Sequence, residues 1–212
     1  MIFEQIQNGG DRNLGYLIAD EKTGRAVAVD PSYQPDYYIQ RALELEVELV
    51  NIICTHSHHD HVNGNDHIIE KLGIDVVMYE DAEYFYDVEV SDGDIFKVGS
   101  IDFKVIHTPG HCEDGMCLLV EDKLITGDTL FVGKVGGTST EEEARKEFNS
   151  LRSLMKLEDK IEVFPGHDFG VTPSSTIGLE RKTNPFIIQP TFEEFLHLKA
   201  NWLAYKTKHG LQ

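Results

Sequence analysis

A short run of histidine and aspartate residues constrains this chain more than any other feature of its sequence. Residues 56 to 61 have the sequence HSHHDH and follow an apolar run over residues 49–54 that predicts a buried strand. Imidazole and carboxylate groups bind zinc, iron or manganese, and a rigid strand end holds such groups in place. An exposed polar loop is the alternative, but it does not explain four such side chains together. We therefore take four residues as candidate metal ligands, namely His56, His58, Asp60 and His61.

Three further motifs carry a histidine or an aspartate, and each follows an apolar, strand-like run. They are TPGH at residues 108–111, TGDT at residues 126–129 and FPGHD at residues 164–168. The glycine in each motif allows a sharp turn that can direct the next side chain back towards the first cluster. These motifs contain His111, Asp128 and His167, which the resemblance described next implies to be metal ligands. The other five histidines match no ligand position, and we expect them at the surface or beside the site; they are His59, His67, His107, His197 and His209.

The pattern H-x-H-x-D-H, followed by these three motifs in this order, resembles the metallo-β-lactamase superfamily over roughly residues 12 to 190. The resemblance implies an α/β fold, a four-layer αβ/βα sandwich of the metallo-β-lactamase type. It also implies two divalent metal ions. Zinc is the preferred metal, and iron or manganese are the alternatives. One ion would be held by His56, His58 and His111. The second would be held by Asp60, His61 and His167, with Asp128 bridging both.

Within the superfamily the chain looks most like glyoxalase II, which hydrolyses the thiolester of hydroxyacylglutathione. This resemblance implies a hydrolase that attacks a thiolester or a small ester with a metal-bound hydroxide, oriented by Asp60 as the catalytic residue. Two nearby dications lower the pKa of a shared water to roughly 7, so no protein nucleophile is needed. The sequence agrees, since it contains no G-x-S-x-G nucleophile motif.

Two other interpretations remain open. The pairs at residues 175–176, 180–181 and 184–185 resemble the C-terminal segment of persulfide dioxygenases, in which one iron would be held by His56, His111 and Asp128. A metal-binding domain without catalytic activity is the third interpretation. Glutathione recognition is weakly supported, because GKVGG at residues 133–137 stands where relatives carry G-C-G-R, Phe169 replaces a tyrosine, and residues 168–212 are too few for the full helical glutathione-binding domain.

Length and charge limit the remaining possibilities. The 212 residues are expected to form one domain over residues 1–212, with a short helical extension from about residue 173. The formal net charge of -18 disfavours nucleic acid as a partner, because such a surface repels phosphate. A small-molecule substrate is the expected partner, and the oligomeric state is left open. The first residues lack the pattern of a signal peptide and no apolar run has membrane-spanning length, so we expect no membrane and a cytoplasmic protein.

Three cysteines are too few and too irregularly spaced for a disulfide framework and are expected to be reduced. We expect Cys112, which directly follows a candidate ligand, to be buried and inert.

Periodicity predicts the main elements. A hairpin is expected over residues 15–31, a helix from residue 36 to about 48 that gives way to a strand, and one helix over residues 62–72. Strands are expected at residues 75–79, 95–98, 101–106, 116–120, 123–126 and 160–164, with hairpin turns at 99–100 and 121–122. Capping boxes open two helices, at Thr140 with Glu143 and at Thr191 with Glu194. The second of these helices is expected to bury Phe192, Phe195, Leu196, Trp202 and Leu203.

Overall fold

Two six-stranded β-sheets face each other in the computed structural model, which describes residues 1–210. The first sheet has the order β1-β2-β3-β4-β5-β6. Its strands are β1 (Ile2–Gly9), β2 (Asn13–Asp20), β3 (Arg25–Val29), β4 (Glu48–Ile53), β5 (Asp75–Tyr79) and β6 (Val88–Val90).

The second sheet has the order β14-β13-β10-β9-β8-β7, and β11 and β12 form a separate two-stranded ribbon. These strands are β7 (Ile95–Val98), β8 (Ile101–His107), β9 (Met116–Val120), β10 (Lys123–Gly127), β11 (Leu130–Phe131), β12 (Lys134–Val135), β13 (Glu162–Pro165) and β14 (Ser175–Thr176). The helices are α1 (Pro35–Glu44), α2 (His59–Val62), α3 (Asn65–Leu72), α4 (Glu141–Leu154), α5 (Ile177–Thr183), α6 (Phe192–Ala200) and α7 (Trp202–His209).

The apolar core lies in three layers, which explains why several strands are apolar on both faces. Between the sheets, residues such as Tyr16 and Phe103 are fully buried. Helices α1 and α3 cover the outer face of the first sheet, where Tyr38 belongs to a second buried cluster. Helices α4 and α6 cover the second sheet, with Phe195 in a third cluster. This arrangement confirms the predicted four-layer αβ/βα sandwich.

Backbone hydrogen bonds bring the ends of strands from both sheets to one edge of the sandwich. The amide of Met116 donates to the carbonyl of Thr55 at 2.9 Å, which joins the start of β9 to the end of β4. The amide of Gly166 donates to Gly127 at 2.7 Å, and the amide of Leu14 donates to Gly166 at 2.8 Å. The segments that follow β4, β10 and β13 therefore meet at the same place.

Several predicted boundaries were wrong. The first helix ends at Glu44, before β4, and the helix expected over residues 62–72 is divided into α2 and α3. The division occurs at Gly64, where a Cβ atom would lie 1.8 Å from the carbonyl oxygen of Pro31. The C-terminal helix breaks at Asn201, so Leu203 is 76% exposed and not buried. Strands β1 and β6 were not predicted.

Both predicted capping boxes are present, at the starts of α4 and α6. The turns at residues 99–100 and 121–122 also lie between paired strands, as predicted. Over residues 1–210, the helices are all too short or too polar to span a bilayer.

Candidate metal centre

All seven candidate ligands lie together at the edge where the strand ends meet. Two follow β4 directly, two are on the single turn of α2, one is between β8 and β9, one follows β10 and one follows β13. Their side chains form two groups of three, in which the ligand atoms lie within 4.8 Å of one another: His56, His58 and His111, and Asp60, His61 and His167. Asp128 also forms such a group with His56 and His61.

The first group is arranged around His58. Its Nδ1 lies 3.0 Å from Nε2 of His56 and 2.9 Å from Nε2 of His111. Burial lowers the pKa of both His56 and His58, and neighbouring histidines act in the same direction. Neutral imidazoles carry the lone pair that a cation needs, so this group is suited to hold one.

The second group is arranged around two carboxylates. Oδ2 of Asp60 lies 3.4 Å from Nε2 of His167 and 3.8 Å from Nε2 of His61. Asp128 lies between the groups, with Oδ1 at 3.3 Å from Nε2 of His61 and Oδ2 at 3.5 Å from Nε2 of His111. A single carboxylate between two ligand groups has the position of a bridging ligand.

Backbone carbonyl oxygens fix the orientation of two of the histidines. Nδ1 of His111 lies 2.8 Å from the oxygen of Gly137, and Nδ1 of His167 lies 2.9 Å from the oxygen of Asp11. Because a carbonyl oxygen only accepts, Nδ1 must carry the hydrogen in each ring. In the neutral ring, which is the form that binds a cation, Nε2 then carries the lone pair, and in both rings it faces Asp128.

Asp30 orients His61 directly and His56 through Thr55. From the sequence it was interpreted only as the end of a hairpin without chemistry. Its fully buried carboxylate accepts hydrogen bonds from the Thr55 amide and hydroxyl, both at 2.7 Å, and lies 2.9 Å from Nδ1 of His61. Since the Thr55 hydroxyl donates to Asp30, it accepts from Nδ1 of His56 at 3.1 Å. The signal in the sequence was a carboxylate between a buried apolar strand and Pro31.

Two buried polar atoms at the middle of the site show that the residues fit a cation. Among residues 1–210, Nε2 of His61 and Oδ1 of Asp128 find no hydrogen-bond partner, although both atoms are buried and they lie only 3.3 Å apart. Leaving such atoms unpaired is costly, and a cation between them removes that cost. The donor set of imidazoles and carboxylates is one that zinc and iron accept.

Without a cation, the carboxylates control the charge of the second group. Burial opposes protonation of His61, but the nearby Asp128 and Asp30 outweigh it and raise the pKa of His61 well above its usual value. Burial also opposes protonation of His167, but its hydrogen bonds to Asp128 and Asp60 outweigh burial and raise its pKa to about 9. The hydrogen bond from His167 in turn lowers the pKa of Asp60. The pKa of Asp128 is lowered as well, so Asp60 and Asp128 are both ionised at neutral pH.

A cavity of about 600 Å³ opens directly above these residues, with Asp60, His111, Asp128 and His167 in its floor. Its walls are largely apolar and come from the β11–β12 ribbon, from α6 and the start of α7, and from the segments that carry Phe169 and Phe186. The apolar lining residues are Phe131, Val135, Phe169, Phe186, Leu196 and Trp202. The cavity therefore offers an apolar chamber for a substrate whose reacting bond lies at the polar floor.

Phe169, which stands where the glyoxalase II resemblance implied a tyrosine, forms part of this wall and covers a candidate ligand. Its ring stacks on His167 with centroids 4.7 Å apart. Nζ of Lys134 lies 4.3 Å from the centre of the ring, and the guanidinium of Arg12 lies 4.9 Å from it. Two positively charged side chains, Lys134 and Arg12, thus lie at the rim of the cavity, although the formal net charge of the chain is -18.

Residues that were expected to be inert lie outside the ligand groups. His107, expected beside the site, stacks on Tyr79 and contacts the Glu113 carbonyl oxygen at 2.7 Å. Cys112 is half-buried and unpaired, and burial raises the pKa of its thiol, so it is not an activated nucleophile.

The fold and this arrangement define a metal-dependent enzyme scaffold of known type. Residues 9–167 match the family model described as the metallo-beta-lactamase superfamily. The chain belongs to this superfamily, which confirms the resemblance drawn from its motifs. Its glyoxalase II-like and persulfide dioxygenase-like branch is also supported by the relatives.

Three relatives illustrate the range of the similarity. The chain is 33% identical over 199 residues to "Probable polyketide biosynthesis zinc-dependent hydrolase BaeB" of Bacillus velezensis, covering 88% of this chain and 87% of that protein. It is 33% identical over 171 residues to a hydroxyacylglutathione hydrolase of Francisella tularensis subsp. novicida, covering 76% of this chain but only 65% of the relative. The crystal structure of ETHE1 from Myxococcus xanthus superposes with a TM-score of 0.90 at 35% identity, covering 95% of this chain and 91% of that one. The superfamily and the names of the first two relatives indicate a metal-dependent hydrolase that binds divalent metal.

Proposed function

We propose that this protein hydrolyses a thiolester or a small ester at a centre of two divalent cations. The observation that supports the proposal is that two groups of three ligand atoms, each within 4.8 Å, adjoin one carboxylate at the floor of an apolar cavity. The names of two relatives, a zinc-dependent hydrolase and a hydroxyacylglutathione hydrolase, support the same reaction class.

In this proposal each ligand group holds one cation. His56, His58 and His111 would hold the first and Asp60, His61 and His167 the second, with Asp128 as the carboxylate that both groups would share. When bound, such cations supply Lewis acidity and a water that is acidic enough to attack at neutral pH, with zinc preferred and iron or manganese as alternatives.

Asp60 is proposed to be the catalytic residue of the chain itself. Its Oδ2 accepts a hydrogen bond from Nδ2 of Asn13 at 2.9 Å, which fixes the carboxylate at the cavity floor. Without a cation, the hydrogen bonds from His167 and Asn13 lower the pKa of Asp60, and the bond from Asn13 remains when His167 binds a cation. Asp60 is therefore ionised and can accept a hydrogen from the attacking water. Asp60 thereby orients that water towards the substrate carbonyl carbon.

The walls of the cavity suggest what the substrate looks like. Phe131, Phe186 and Trp202 present apolar surface that suits an acyl chain and keeps bulk water from the reacting bond. The cations Lys134 and Arg12 at Phe169 favour a substrate whose thiol portion carries a negative charge. Phe169 has no hydroxyl to donate to glutathione, so a thiolester of another anionic thiol suits this rim better than hydroxyacylglutathione does.

Metal analysis and parallel assays test the proposal. The protein is purified without oxygen, its metals are counted, and it is assayed with S-lactoylglutathione, with other anionic thiolesters and with small neutral esters. We expect two equivalents of divalent metal and turnover of at least one thiolester or ester that a chelator abolishes. Metal binding without turnover of any of these substrates would favour the interpretation as a non-catalytic metal-binding domain.

A mononuclear iron persulfide dioxygenase is the second candidate, favoured by the likeness to ETHE1 of Myxococcus xanthus over most of both chains. One iron would then be held by His56, His111 and Asp128, two histidines and one carboxylate. The same preparation distinguishes the two candidates. Oxygen uptake with glutathione persulfide at one iron per chain would overturn the hydrolase proposal.

A further inference from the structure

The C-terminal part of the chain reaches the metal centre through the ribbon next to it. We call residues 130–137, which contain β11 and β12, the site ribbon, and residues 173–210 the C-terminal extension. The site ribbon packs directly against two residues that are candidate ligands. A Cβ atom on Gly136 would lie 2.2 Å from the backbone carbonyl oxygen of Asp128 and 3.0 Å from Cβ of His111. The next carbonyl, that of Gly137, accepts from Nδ1 of His111 at 2.8 Å. The placement of this backbone therefore sets the direction of the His111 ring.

Buried charged and polar side chains of the extension hold both ends of the ribbon's second strand. At its beginning, Glu180 accepts from the amide of Gly133 at 2.9 Å and from Nδ2 of Asn184 at 2.8 Å. Nδ2 of Asn184 also donates to the carbonyl of Lys134 at 3.2 Å. Glu180 and Asn184 are buried, so these bonds do not compete with bulk water.

At its other end, Nζ of Lys199 donates to the carbonyl of Gly136 at 2.8 Å and to the carboxylate of Glu147. The side chains of Lys199 and Glu147 are only 12% and 1% exposed. Burying such a pair is costly compared with two apolar residues, and stability alone does not explain it. Its geometric effect is to fix the carbonyl of Gly136. The next carbonyl, that of Gly137, is the one that accepts from Nδ1 of His111.

We infer that Lys199, with Glu147, Glu180 and Asn184, positions His111 for metal binding by fixing the site ribbon. These are positioning residues, because they act on the ligand through the backbone of residues 133–137. The inference rests on the metal centre of the proposed function, but not on its reaction. It makes the C-terminal extension a structural part of the metal centre.

The test measures binding of cobalt(II) alone to the full chain after metal removal, by competition with a chelator and by the visible absorption of the bound ion. Lys199→Met is compared with Glu147→Met/Lys199→Met, which removes the buried charges together and so avoids an uncompensated carboxylate. Lys182→Met, an exposed lysine of the same extension, is the matched control. Glu180→Gln tests the other end of the ribbon.

We expect the double variant to unfold at the wild-type temperature or above, yet to bind one of its two cobalt ions about tenfold more weakly, with a changed absorption spectrum. Glu180→Gln should weaken the same ion, and Lys182→Met should leave both unchanged. A double variant with wild-type affinity and spectrum would overturn the inference and leave the proposed hydrolase intact. A wild-type protein that binds two cobalt ions but cleaves no thiolester or ester would overturn the proposed reaction only.

Discussion

At the scale of single residues, the centre depends as much on the groups that hold the ligands as on the ligands. Asp30 lies at the end of β3 with a positive φ of 49°, an unfavourable conformation for a residue with a side chain. In this conformation the Asp30 carboxylate accepts from the Thr55 amide and contacts Nδ1 of His61. Strain at a buried polar residue is characteristic of functional sites, where the surrounding structure compensates for it.

Asp30→Asn is the first prediction. An amide has only one accepting oxygen, so it cannot accept from the Thr55 amide, the Thr55 hydroxyl and His61 together. We expect zinc affinity to fall by about 10- to 100-fold, as for other groups that orient metal ligands. Chelator competition measures the affinity, and Asp36→Asn, an exposed aspartate that contacts His67, is the control. Unchanged affinity in Asp30→Asn would show that Asp30 does not orient the ligands.

Asp60→Asn is the second prediction. The amide oxygen can still bind a cation, but it is a much weaker acceptor for the hydrogen of a water. We expect metal content to be retained and kcat to fall by about 100-fold, which is the usual contribution of such proton acceptors. Metal analysis and steady-state kinetics on the same preparation separate the two effects. A variant with both metals and full turnover would rule out a catalytic role for Asp60.

The convergence of the seven candidate ligands could be predicted from the sequence, because each of their motifs follows an apolar run. The backbone groups that orient two of these histidines could not. The partners of His111 and His167 are the carbonyl oxygens of Gly137 and Asp11, which every residue possesses and which leave no mark in a sequence. Only the fold brings them within reach.

At the scale of elements, local signals predicted beginnings better than ends. The capping boxes at Thr140 and Thr191 depend on residues three positions apart, and both are present. The breaks at Gly64 and Asn201 were not predicted, and at Gly64 a tertiary contact decides the break. At Gly64 the carbonyl of Pro31, which lies far away in sequence, comes so close that only glycine fits.

Gly64→Ala is the prediction at this scale. A Cβ atom 1.8 Å from the Pro31 oxygen forces α2 and α3 away from the end of β3. We expect a loss of about 3 kcal/mol or more in the free energy of unfolding, as for severe steric conflicts. Gly73→Ala is the control, since its φ is +64° but the space around it is open, and there we expect a loss of about 1 kcal/mol. Urea unfolding measures both, and equal losses would contradict the steric explanation.

At the scale of the whole molecule, metal binding and folding stability are coupled through the protons on the second ligand group. In the metal-free chain the pKa of His167 is about 9 against an ordinary value of 6.5, and the pKa of His61 is raised as well. A raised pKa in the folded state stabilises the protein below the unfolded-state pKa. That contribution is lost as the pH rises through about 9.

The metal-loaded protein should show the opposite trend over the same range. Cations bind neutral imidazole, so they compete with the protons on His61 and His167, and their affinity rises with pH. Stabilisation by a ligand increases with its affinity, so added zinc should raise the free energy of unfolding more at pH 9 than at pH 6.5. Without metal, this free energy should decrease across the same window. Urea unfolding with zinc or with a chelator measures both slopes, His67→Gln serves as a control outside the centre, and parallel slopes would contradict the coupling.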